Sequence, residues 1–375
     1  MRGFLTAGCA FLAAATFAAS DASAATGDWA QYGFNADGRR NNTEETILGR
    51  KTVAQLTPKW TANIPVSTSS AAVANGIVYV GSTDNHLYAF DAKSGVLVWE
   101  AATGGFIMSS PAVENGVVYV GSNDGWIYAF DAETGAVRWS TQIGTGNNGL
   151  VESPVAVAGG LVFAGTTNSA MFALSASTGA VKWTKSAVFH GETLAPAVAH
   201  GIVYFANDIG GELDALDART GASLWMQRPG QGFTGALAVG DSMVYGISGG
   251  SLCAFDATTG VNRWGDWGGT VTGSIAIGAH NLYATSETTW LTAVNTANGA
   301  VKYTTVTHQP VRAAPALANG VLYTGGTTGA VSAYDTANSK LLWSATTDKI
   351  VAAPTVSNGM LYVGSASQFT AYGLP

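Results

Sequence analysis

Charged residues make up only 11% of the 375-residue chain, so the few that stand in short linking segments draw attention. Asn147, Asn148 and Glu152, then His190 and Glu192, Arg228 and Gln231, Asp266 and Trp267, His308 and Arg312, and Asp348 and Lys349 form one set. Asp84 and His86, Asn123, Asp124 and Trp126, Asn207 and Asp208, and Glu287 and Trp290 form a second. Such side chains could move protons, pair with an anion or ligate a hard cation. The histidines are too dispersed to imply structural zinc, whose ligands are closely spaced. A glycosidase needs two facing carboxylates, and distance along the chain does not fix their separation. Whether these residues converge depends on the elements that carry them.

Those elements repeat. AFDAKSGVLVW (89–99), AFDAETGAVRW (129–139), ALSASTGAVKW (173–183), ALDARTGASLW (215–225), AFDATTGVNRW (254–264), AVNTANGAVKY (293–303) and AYDTANSKLLW (333–343) share one pattern. Their final aromatics recur at a period of about forty residues, the sequence mark of a solenoid or propeller. Within residues 109–139 the segments 111–113, 117–121, 126–130 and 136–139 read as four antiparallel strands. Asn115-Gly116, Asn123-Asp124-Gly125 and a turn over 131–135 separate them. No helical spacing of apolar residues interrupts the unit.

Four strands per period make one propeller blade. First turns recur at Asn75-Gly76, Gly159-Gly160, His200-Gly201, Gly240-Asp241, Ala279-His280, Asn319-Gly320 and Asn358-Gly359. The last unit stops after its third strand. Residues 56–64, whose Trp60 precedes Trp99 by 39 residues, are expected to supply the missing outer strand and remove the free edges. The reading is an all-β, eight-bladed β-propeller of four-stranded blades, its ring closed by an N-terminal strand. Seven blades is the alternative if that segment lies elsewhere. Asp91, Asp131, Asp217, Asp256 and Asp335 are expected to accept N–H bonds from their own turns, and the repeated Trp to wedge between blades. One face of a propeller carries the loops into the innermost strands and the turns between second and third strands, so both sets above belong to one mouth.

Residues 1–24 pair an early Arg with an apolar run and end Ala22-Ser23-Ala24, which predicts a secretory signal peptide and a periplasmic or secreted mature protein. Its removal takes Cys9 and leaves Cys253 alone, without an intramolecular disulfide. Residues 25–55 form a lead-in, and 56–375 the propeller. A net charge of −7 argues against nucleic acid or an anionic membrane as partner. No later run approaches the ~20 apolar residues of a membrane span.

The A-[FL]-D-x-x-[TS]-G-x-x-x-W repeat resembles the tryptophan-docking repeat of pyrroloquinoline quinone (PQQ) propellers. That superfamily holds quinoprotein alcohol dehydrogenases, polyvinyl alcohol dehydrogenase-like proteins and a non-enzymatic scaffold lipoprotein of outer-membrane β-barrel assembly. Asp28-Trp29-Ala30-Gln31-Tyr32-Gly33, Arg40-Asn41-Asn42, Glu44-Glu45, Ile47 and Thr52-Val53-Ala54-Gln55-Leu56 resemble the dehydrogenase lead-in. The resemblance implies oxidation of an alcohol or polyol by hydride transfer to bound PQQ, with Ca²⁺ and a separate electron-acceptor protein. It implies Arg312 and Arg228 as cations for the quinone carboxylates and Trp267, Trp126 or Trp290 as the stacking ring. Glu152 with Asn147 would ligate Ca²⁺, and Asp348 or Glu192 would be the base. It also implies an alternative, a binding or scaffold propeller that presents its face to an envelope protein. The chain departs from the dehydrogenases in having no Cys-Cys pair, no CxxCH and a shorter length.

Overall fold

The turn residues dictate the hairpins. Asn75 and Gly76 sit at φ 52° and 76°, the left-handed pair that a two-residue turn between twisted strands demands. Asn115 with Gly116, His200 with Gly201, Asn319 with Gly320 and Asn358 with Gly359 repeat it. In the fifth blade the turn falls one residue later than expected, at Asp241 and Ser242. At Ala279 and His280 no positive φ occurs, and the Gly278 N–H donates to the Asn281 carbonyl at 2.8 Å instead.

The computed structural model describes residues 27–375 except 67, 146–148, 188–190, 266–270, 272, 308 and 350–351. The expected signal peptide, residues 1–24, lies outside the described residues. Eight sheets stand in a ring, each with at least four strands. The first is Ala72–Ala74, Ile77–Gly81, His86–Asp91 and Leu97–Ala102. The last combines Thr355–Ser357, Met360–Gly364 and Phe369–Gly373 with Thr57–Ala62. In that seam Trp60 faces Ala371 and Thr61 faces Thr370. The ring is closed by the N-terminal strand.

Tryptophan joins blade to blade. The Trp99 indole N–H donates to the Ala132 carbonyl of the next blade at 3.0 Å. A Cβ on Gly135, at φ 72°, would come within 2.7 Å of that ring, so only glycine lets the indole lie flat on the turn. Trp60, Trp139, Trp183, Trp225 and Trp264 reach Ala92, Ala176, Ala218, Ala257 and Thr296 in the same way. Trp343 crosses the closure to the Leu56 carbonyl at 3.0 Å. Asp91 Oδ1 accepts the N–H groups of Lys93 and Ser94 at 3.2 and 2.8 Å, so the repeated aspartate builds its turn. Buried layers such as Tyr79, Leu87, Trp99, Val118 and Phe130 fill the space between blades.

The lead-in encircles the channel. Main-chain carbonyls of Trp29, Ala30, Ala36, Asp37, Arg39 and Arg40 accept the N–H groups of Val73, Val113, Val198, Val239, Ile277 and Leu317 at 2.6–2.8 Å. Those donors lie in the innermost strands of the first, second, fourth, fifth, sixth and seventh blades. The Gln31 side chain serves the third blade, giving and taking one bond with Val157 at 2.9 Å each. Asn42 serves the eighth, donating to Val356 at 2.9 Å. Residues 27–42 therefore form a belt that visits all eight blades in chain order. Its bonds occupy inner-strand groups that would otherwise be unpaired.

Candidate functional site

Above the belt the channel opens into a cavity of about 650 Å³. Loops into the first, seventh and eighth innermost strands supply Thr68, Ser70, Arg312, Ala313, Ala314 and Lys349 to its wall. Glu287 comes from the turn between second and third strands of the sixth blade, and Tyr32 of the belt forms the base. Arg312 Nε donates to Glu287 Oε1 at 2.5 Å, with the arginine side chain 71% exposed.

Arg40 lies directly under that base. Its guanidinium is fully buried and donates to the carbonyls of Tyr32, Pro315 and Pro354, the last two at 2.9 and 2.6 Å. It stands 5.2 Å from the centroid of the Trp29 ring and 4.6 Å from that of Tyr32. Burial pulls its pKa down to about 10, opposed by Tyr32, so the group remains a cation at neutral pH. Trp29, Tyr32 and Arg40 thus form one stacked group beneath the cavity.

The other expected site residues divide into groups. Glu152 accepts the Asn123 side-chain N–H at 2.8 Å. Glu192 lies close enough to Glu152 and Asp208 that burial first, then those two carboxylates, hold its carboxyl above the usual range. These three acids gather on the side of the third and fourth blades. Arg228 pairs with buried Glu212 at 3.2 Å. Asp348 accepts the N–H and hydroxyl of Ser367, at 3.0 and 2.5 Å, and the Thr347 hydroxyl at 3.2 Å. Burial pushes the Asp348 carboxyl up, but hydrogen bonds from Ser365, Ser367 and Thr347 outweigh it and hold the group low, an ionised turn brace.

Trp126 packs against Tyr128, with centroids 6.5 Å apart, and its main-chain N–H donates to Asp124 Oδ1 at 3.0 Å. Trp290 is 46% exposed on the rim. Of the described residues expected to hold quinone or metal or to act as base, only Arg312 lines the cavity, with Glu287 and Lys349 of the wider sets beside it. Asn147 and Trp267, with Asn148, His190, Asp266 and His308, lie outside the described residues. Among the described residues no three His, Cys, Asp or Glu side chains are grouped to hold a metal ion.

Sequence reasoning missed Tyr32 and Arg40 as parts of the site. Their one signal is an arginine in an aromatic, strandless segment whose other charges are few. It also missed a buried acid pair in the fourth blade, Glu212 and Asp214, 2% and 1% exposed. Burial first, then Glu212, pushes the Asp214 carboxyl up to about 7, against Lys185 and Arg228.

With this geometry in view, a family model described as outer membrane protein assembly factor BamB matches residues 46–189, 185–310 and 288–374. The chain belongs to this PQQ-repeat family. Among solved structures, BamB from Moraxella catarrhalis superposes with a TM-score of 0.72 at 21% identity, covering 85% of this chain and 100% of that one. A europium-containing methanol dehydrogenase gives 0.80 at 14%, covering 93% and 98%. Quinohemoprotein alcohol dehydrogenase from Comamonas testosteroni gives 0.79 at 15%, covering 94% and 82%. At these identities the superpositions share the propeller between assembly factor and dehydrogenase alike, and fold does not choose a function. No curated protein sequence matches the chain. Among the described residues no helix is long and apolar enough to cross a membrane.

Proposed function

We propose that the chain is an exported, periplasmic binding propeller of the assembly-factor type, whose mouth and rim receive another protein of the cell envelope. The observation that carries this reading is the belt. Tyr32 lines the cavity over buried Arg40 and Trp29, so the chain's own side chains floor the face like a dish. Recognition on a dish falls to its rim, and there Phe106, Ile209 and Trp290 are 50%, 57% and 46% exposed. Large exposed apolar side chains on a polar face are typical anchors at protein interfaces. The description of the matching family, an outer membrane protein assembly factor, supports a partner in that process.

The dehydrogenase neighbours support a quinone with a metal only through the shared fold. The described residues do not fit that pair. Arg312 and Lys349 could meet carboxylates, but the described acids form no metal cage, and among the described residues the only aromatic ring in the cavity wall is Tyr32. An alcohol substrate and an electron acceptor then have no described place.

The test is a photo-crosslinking residue placed at position 290 or 106 in living cells. One outer-membrane assembly protein is expected to be captured. Trp290→Ala combined with Phe106→Ala should reduce co-purification of that protein at least fivefold, with an unchanged unfolding midpoint. Binding of PQQ with Ca²⁺ at micromolar concentration, followed by alcohol-dependent dye reduction, would overturn the reading.

A further inference from the structure

The charge of the cavity runs against that of the molecule. The chain carries −7 overall, yet among the described residues of the cavity wall Arg312 and Lys349 meet a single carboxylate, Glu287, and Arg40 lies one ring beneath. Buried cations ordinarily sit beside an anion. Arg40 has only carbonyl oxygens and aromatic rings around it among the described residues. The Tyr32 ring that it lies against is part of the cavity wall. The Arg312–Glu287 pair is too exposed to hold Arg312 firmly.

Resting on the binding reading above, we infer that this cavity seats an acidic segment of the partner polypeptide, its carboxylates held by Lys349 and Arg312 over the buried charge of Arg40. The dimensions suit a short run of chain. About 650 Å³ lies within the range of sites that enclose a drug-sized ligand. Gly235, Ala313, Ala314 and Ala353 in the wall let a backbone approach closely. Register follows from charge as well. Glu152, Glu192 and Asp208 across the mouth repel an acidic segment, confining it to the side of the sixth to eighth blades.

The test uses the mature chain and a fluorescein-labelled decapeptide of alternating Glu and Gly, with Gln–Gly and Lys–Gly counterparts. Fluorescence anisotropy should show the Glu peptide binding at least tenfold more tightly than the Gln peptide, and weakening steeply with salt. Arg312→Glu with Lys349→Glu should abolish that preference, while Lys182→Glu on an outer strand should leave it within twofold. Arg40→Met should weaken the Glu peptide several-fold without touching it. Should that variant not fold, the rim reversal still decides.

Equal binding of Glu and Gln peptides, or equal losses from the rim reversal and Lys182→Glu, would overturn the inference. Crosslinking at position 290 separates the two readings. A partner still captured at wild-type level by the rim-reversed protein leaves the binding propeller standing and removes the acidic seat. Micromolar PQQ that displaces the peptide and supports dye reduction removes both.

Discussion

Asp214 stands at the repeat position that Tyr88 and Tyr128 fill in the first two blades. Those tyrosines donate their hydroxyls to Asp84 and Asp124, at 2.9 and 2.6 Å, and so brace the turns that shape the mouth. The fourth blade has a carboxyl there instead, almost completely buried beside Glu212, with Arg228 and, from the third blade, Lys185 as the nearby cations. Two buried carboxyls this close cannot both ionise cheaply. Because the folded-state pKa of Asp214 is raised, the native chain binds more protons than the unfolded chain between the ordinary carboxyl range and about pH 7. Stability from this site is therefore fully present at low pH, declines as pH rises through that window, and is level above it. Asp214→Asn keeps a neutral group throughout. Urea midpoints from about pH 5 to about pH 8 should show the variant gaining on wild type by on the order of 2 kcal/mol across the range. Parallel curves for the two proteins would refute this.

At the scale of elements the belt is what the sequence concealed. A blade advertises itself because its turns and its alternation are local, whereas residues 27–42 have no period and take their partners from strands spread over the whole chain. The sequence showed that segment only as a family likeness, and Arg40 was legible as a residue but not as a buried one. The mouth was partly legible for the same reason. Loops leading into inner strands and turns between second and third strands can be counted from the repeat, which found Arg312, Lys349 and Glu287. Which loop acids converge depends on side-chain pairing, and that separated Arg228 and Asp348 from the cavity. The belt's dependence on one side chain can be tested. Gln31 imitates a peptide group toward Val157, so Gln31→Ala leaves one buried N–H and one buried carbonyl unpaired. A loss of about 2–3 kcal/mol is expected. Amide exchange at Val157 should accelerate while Val113, bonded to the main chain of Ala30, stays protected. Gln31→Glu keeps the acceptor but sets a carboxylate oxygen against the Val157 carbonyl, and should lose at least as much at neutral pH. Unchanged exchange at Val157 would show that the side-chain bond does not hold the third blade.

For the whole molecule the decisive step is closing the ring, and here the sequence was most informative, because an unfinished last blade and an unused N-terminal strand call for each other. Expected over 56–64, the closing strand is Thr57–Ala62. A missing Asp–Gly turn in the eighth blade leaves a trace elsewhere. The Tyr323 hydroxyl is buried without a hydrogen-bond partner among the described residues, where Tyr79, its counterpart in the first blade, donates to Ala132 at 3.0 Å. Closure joins the two ends of the chain, so its main opponent is loop entropy and not poor contact. That opposition can be measured by comparing two cross-links of similar geometry. Thr61 and Thr370 face each other across the closing seam with hydroxyl oxygens 3.3 Å apart, 309 residues apart in sequence. Thr292 and Thr304 face each other inside the sixth blade at 3.4 Å, only 12 residues apart. Opposed residues of antiparallel strands lie within disulfide range. The free thiol among the described residues, Cys253, is buried and pushed up to about 12 by that burial, so it will not compete for oxidation. Thr61→Cys with Thr370→Cys should stabilise the oxidised protein by about 3 kcal/mol more than Thr292→Cys with Thr304→Cys, the difference that loop length alone predicts. Urea unfolding of both proteins, oxidised and reduced, gives the comparison. Equal gains from the two bridges would mean that the ends already stay together in the unfolded chain, and that closure costs the ring little.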